Sequence, residues 1–141
     1  VEFALVLPVL LTFVFGILEY GRLQLAANVL KNACRQGSRY GSTEGISTAD
    51  ASARVHEIVG AAMDPAAVDI IVKDASIFDT EGALPQTAGE LEALPNIELG
   101  NAAPRQLFLI RATVAYADIA IIPMPGVDDI VLTGQAFMRH E

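Results

Sequence analysis

A single cysteine, Cys34, stands among the 141 residues, so the chain has no internal disulfide and no cysteine-based zinc site. Its two histidines, His56 and His140, lie far apart without ligand spacing, and His56 reads as a residue on the polar face of a helix. Nowhere does the sequence carry a G-x-S-x-G elbow, a Walker glycine loop, a G-x-G-x-x-G turn or an H-E-x-x-H helix. Asp79 to Glu90 opens D-x-E over twelve positions, loosely like a calcium loop, but Leu84 stands where the turn glycine belongs and Pro85 follows it. These acidic residues read as a solvated surface. No catalysis, cofactor or metal is expected. Positive charge is also scarce, with nine Lys and Arg against seventeen Asp and Glu. Residues 43–141 hold five basic and fifteen acidic side chains. Such a segment lacks the clustered Lys and Arg that neutralise phosphates, which excludes nucleic acid as its partner.

The most telling lack is of any charge between Glu2 and Glu19. The sixteen residues from Phe3 to Leu18 amount to about 24 Å of helix, close to the roughly 30 Å of a hydrocarbon core. A signal peptide would open on Met and basic residues and close on a small-residue cleavage site. This run instead continues into an amphipathic stretch, so the expectation is an anchor retained after processing upstream of it; the plain alternative is a buried core helix. From Leu23 on, Leu23, Ala27, Leu30, Cys34, Gly37 and Gly41 fall on one side, and Gln24, Asn28, Lys31, Asn32, Arg35 and Arg39 on the other. Ala33, Gly37 and Gly41, four apart, offer a surface that another backbone can approach closely, either a second subunit or the chain's own head. Pro8 removes one backbone donor and is expected to bend or loosen the helix near residues 4–8.

Beyond the turn at 41–47, the pattern predicts a helix over 48–63, capped by Ser47 with Asp50 in its first turn and closed by Asp64-Pro65. Val68, Ile70 and Val72 alternate with Asp69 and Lys73, as in a strand with one buried face. From Ala75 to Pro104 periodicity fails. Asp79, Glu81, Glu90, Glu92 and Glu98 fall in this stretch without a base, which suggests a functional or mobile loop. Leu107 to Tyr116 reads as the longest strand, with Phe108, Ile110, Ala112, Val114 and Tyr116 on one face and Arg111 and Thr113 on the other. Its partner is expected at 130–139. The connection carries Ile119, Ile121, Ile122, Met124 and Val127 among prolines, an apolar tip that would either be an interaction site or fold back over the sheet edge.

VEFALVLPVLLTFVFGILEYGR followed by AANVLKNACRQGSRYGS resembles the N-terminal signature of TadE-like proteins, minor pilins or pseudopilins of the tight-adherence branch of type IV pili. Glu2-Phe3, Pro8, Gly16, Glu19 and Gly21-Arg22 carry the resemblance. RATVAYADIAIIPMPGVDDIVLTGQAFMRHE is similar to that family's two closing strands and the loop between them, ending in Arg139 and Glu141. The resemblance implies a precursor cut by a prepilin peptidase before the apolar run, an inner-membrane anchor and an assembly platform. It also implies that Glu2, the match to the glutamate of type IV pilins, pairs with a neighbour's terminal amine. Here that glutamate stands at position 2, whereas the usual spacing places it fifth.

The expectation is thus an α+β chain: a long N-terminal helix over 1–41, hydrophobic then amphipathic, and an acidic head over 42–141 with a second helix and a small antiparallel sheet of about three or more strands. It would be a structural subunit held by a single span in the bacterial inner membrane, then incorporated with copies of itself or related pilins into a surface filament. Glu2, Phe3, Pro8, Gly16, Glu19, Arg22, Gly37 and Gly41 are the candidate assembly residues. The competing readings are a tethered accessory protein that never polymerises and, less well supported, an anchored enzyme or ligand-binding head using the 75–104 loop.

Overall fold

The computed structural model describes residues 2–80 and 82–141; Val1 and Glu81 lie outside it, and with them the terminal amine and one acidic residue of the expected loop. Helix α1 spans Glu2–Gly41, forty residues or about 60 Å. It runs unbroken through Pro8, where Thr12 Oγ1 donates to the Pro8 carbonyl at 2.8 Å. Its first half projects alone. Its second half is one wall of the head.

Helix α2 covers Thr48–Val59 and starts at the expected cap: Ser47 and Asp50 form a reciprocal capping box. It ends four residues before the anticipated Met63. At Gly60 the amide already shares the carbonyls of His56 and Ile58, and the amides of Ala62 and Met63 both turn to Val59 O, so the chain tightens into turns before Pro65. Strand β1 is Val68–Asp74, β2 is Leu107–Ala115 and β3 is Val131–Arg139; they form one antiparallel sheet in the order β1-β2-β3. Phe108 faces Asp74 on one side and Met138 on the other, and Val114 faces Val68 and Leu132.

The apolar face of β2 packs as its alternation demands. Phe108, Ile110, Ala112 and Val114 are all buried, against Leu30, Ala33 and Cys34 of α1 and Ala51, Val55 and Val59 of α2; Tyr116, expected to continue this face, is buried too but lies beyond the end of the strand at Ala115. The principal cover of the sheet is α1, which crosses β3 and β2, while α2 lies beside it over β1. Gly134 makes this crossing possible: a Cβ there would lie 2.5 Å from Leu30 C and 2.6 Å from Lys31 N. An isolated glycine inside a strand often marks such a backbone approach.

The stretch from Ala75 to Pro104 is ordered by local turns at its described residues. Ser76–Asp79 and Leu99–Asn101 are short 3-10 turns, and α3 spans Ala88–Glu92 behind a Thr87–Glu90 capping box. It is strapped to the outer edge of β1, where the Asp74 amide donates to Pro95 O at 2.8 Å. The Thr48 hydroxyl further ties it to α2, donating to Ile97 O and accepting from Leu99 N, both at 2.9 Å. This segment explains a departure from simple alternation. Leu109 and Arg111, on the face of β2 away from α1, are buried too, and Glu92 reaches to 3.9 Å from Arg111.

Candidate functional site

The carboxylates of the strap are used locally. Asp79 pairs with Arg139, which holds its carboxyl below the ordinary range. Glu90 accepts from the amides of Gln86 and Thr87, and Glu98 from those of Thr48 and Gly100, with the same effect. His56 sits half-buried, 3.4 Å from Val68 O, and His140 is buried at the chain's end, its amide on Gln106 O. None of these groups converges with another on a common cavity. Cys34 is inert in the core: its thiol donates to Gly134 O at 3.3 Å, and burial pushes its pKa up to about 11.

The unusual surface is the first half of α1. Phe3 is 89% exposed, Phe13 67% and Ile17 70%, and Leu5 to Leu18 are exposed on every side of the helix. A helix apolar all round belongs in a core or a membrane, and apart from Met124 near its end the head does not cover this one. By length and composition α1 can cross a membrane, and it is the only described helix that can.

Where this run meets the head, a polar collar forms. Glu19 is only 3% exposed. Arg22 lies 3.6 Å from it and donates through Nη2 to Ile119 O at 3.0 Å, tying α1 to the short helix α4, Tyr116–Ile119. Tyr116 is buried beneath, its hydroxyl donating to Ile122 O at 3.2 Å; burial, with the Glu19 carboxylate beside it, pushes the phenol above its usual range. The loop beyond α4 therefore runs down along α1 instead of folding back over the sheet edge, and Met124 lines an apolar groove with Phe13, Gly16, Ile17 and Tyr20.

The eight candidate assembly residues separate into three groups. Glu2, Phe3 and Pro8 are exposed on the projecting half, and Gly16 leaves open space where a side chain would be. Glu19 and Arg22 are drawn into the collar. Gly37 and Gly41 lie inside the head: a Cβ on Gly37 would collide with Val55, and one on Gly41 would come within 2.7 Å of Leu99. Of the two partners their spacing left open, a second subunit or the chain's own head, the close approach they permit is taken up within the chain by α2 and the strap. Gly134 and Tyr116 were not singled out as collar or crossing residues. The lone glycine inside a strand was the signal for the first.

The architecture is an exposed apolar helix continuous with a small α+β head. The family model described as TadE-like protein matches residues 1–39, which covers the apolar run, the collar residues of α1 and most of its packed half. The similarity expected at the closing strands lies outside the matched residues. No curated protein and no solved structure matches the chain. Residues 1–39 are thus similar to TadE-like proteins.

Proposed function

We propose that this chain is a structural subunit of a tight-adherence pilus, held in the inner membrane by residues 3–18 of α1 and transferred into a filament in which those residues pack against equivalent helices. The observation that carries this reading is the sixteen-residue run exposed around its whole circumference on a helix otherwise rigidly docked. Such a surface is stable only when lipid or other apolar helices cover it. Its partners are copies of itself or related pilins, with a prepilin peptidase and an assembly platform acting before assembly. Glu2 lies at the edge of the apolar run, where a carboxylate is costly unless a cation meets it; a neighbour's terminal ammonium is the counter-charge we assign.

Membrane fractionation combined with the yield of sheared filaments tests both parts. Leu11→Arg introduces a charge that costs about 2.5–3.5 kcal/mol at mid-helix, so the protein leaves the membrane fraction and no filament forms. Glu2→Ala stays in the membrane but loses filament yield, because a docked neighbour's ammonium is left unpaired at a cost of about 3–5 kcal/mol. Retention of membrane Leu11→Arg at wild-type levels rejects the anchor, and wild-type filament yield from Glu2→Ala removes Glu2 from assembly.

A further inference from the structure

We propose that the β2–β3 loop, residues 116–130, is a second membrane contact, seating the base of the head in the lipid interface beside the anchor helix. This rests on the reading of α1 as a span. The uncharged run of sixteen residues, about 24 Å, falls roughly 6 Å short of a typical hydrocarbon core. A short span is accommodated by thinning the bilayer, by snorkelling of its flanking residues or by oligomerising; further apolar surface at its end would lessen the mismatch. The collar supplies it. Glu19, the first charge after the run, is turned inward and buried, so apolar side chains remain exposed on α1 at Tyr20, 61% exposed, and Leu25, 59% exposed, with the polar Gln24 and the part-exposed Arg22 between them.

Beside those last apolar turns stands the loop tip, Ile121-Ile122-Pro123-Met124-Pro125. Met124 reaches the level of Phe13 and Gly16, while Ile121 is 71% exposed with nothing of the head over it. Backbone chemistry suits this place. Pro123 and Pro125 carry no N–H and the Ile122 carbonyl accepts the Tyr116 hydroxyl, while the amides of Ile121 and Ile122 have no hydrogen-bond partner among the described residues, which suits the hydrated interface and not the hydrocarbon interior. Charge marks the depth. Asp118, Asp128 and Asp129 flank the tip, all exposed, and no Lys or Arg occurs between Arg111 and Arg139. The contact is therefore apolar, bounded by carboxylates that stay among headgroups and water, and it requires no anionic lipid.

The chain contains no tryptophan, so one introduced residue reports its own surroundings. The full chain is reconstituted in phosphatidylcholine vesicles, with and without lipids brominated along the acyl chain, as three single variants: Ile121→Trp in the tip, Phe13→Trp in the span and Tyr40→Trp on the head. The expected result is blue-shifted emission quenched by shallow bromines at 121, quenching by deeper bromines at 13, and water-like, unquenched emission at 40. Emission at 121 that is water-like while position 13 is quenched overturns the proposal and leaves the span intact. A blue shift at 121 that is insensitive to bromine and grows with the protein-to-lipid ratio also overturns it, by assigning the tip to a second copy of the chain. Absence of quenching at 13 rejects the span itself, and the loop contact falls with it.

Discussion

At Gly134 the helix and the sheet touch backbone to backbone, and the atoms a side chain would meet belong to Leu30 and Lys31 of α1 and cannot rotate away. Gly134→Ala therefore forces α1 off β3 and disturbs the Cys34 contact beside it; overpacking of this kind costs about 1–3 kcal/mol. The unfolding midpoint of the full chain in detergent is expected to fall, whereas Gly21→Ala, with nothing within 4 Å of the added carbon, leaves it unchanged or slightly raised. A midpoint for Gly134→Ala equal to that of the wild type would show that the crossing is not close-packed. Gly37 teaches a related lesson. Its spacing with Gly41 announced a close approach, but spacing does not say whose backbone approaches, and here Val55 of the same chain fills the place.

Among the elements, α2 and the three strands were legible because their evidence is local: a capping box at Ser47 and Asp50, and alternation along Leu107 to Tyr116 that one buried face rewards. The strap was not legible, because short turns and single hydrogen bonds to distant residues leave no period. Thr48 shows this best, reaching Ile97 and Leu99 about fifty residues away. The burial of Arg111 follows from the strap and was hidden for the same reason. The collar was half legible: Glu19 and Arg22 stood out by sequence, but their partners Tyr116 and Ile119 come from the far end of the chain. Thr48→Val keeps the shape of the side chain and strands both the Ile97 carbonyl and the Leu99 amide, a loss of about 1–3 kcal/mol confined to the strap. Hydrogen exchange at the Leu99 amide is expected to accelerate while amides of β2 hold their protection; equal acceleration throughout would mean that the strap unfolds only with the whole head.

For the whole molecule, the titrating groups bound a stability plateau. Asp50, Asp79, Glu90 and Glu98 are all held below their ordinary values by hydrogen bonds or, for Asp79, by Arg139. Their contribution is present above the unfolded carboxylate range and is lost as pH falls from about 5 through the lower folded values. Cys34 acts at the other end: its folded thiol keeps its proton up to about 11, whereas an unfolded one ionises near 9, so stability declines as pH rises between those values. Tyr116, also raised, adds to the alkaline loss. Denaturant midpoints measured across pH are expected to be flat from about 5 to 8 and to fall on both sides. A midpoint that stays flat from about 9 to 11 would place the thiol in a more open setting than the core, ionising alike in the folded and unfolded chain.

Helix α1 has no joint between the apolar run and the sheet: it is one rod of forty residues, clamped at Arg22 and again at Gly134. A tilt imposed on one end is delivered to the other. Whatever sets the angle of residues 3–18, a bilayer or a bundle of neighbouring helices, thereby also aims the acidic head, which has no swivel of its own. A lever of about 60 Å turned through a few degrees displaces its far end by several ångströms. The surface the head presents outward is thus steered from inside the apolar phase.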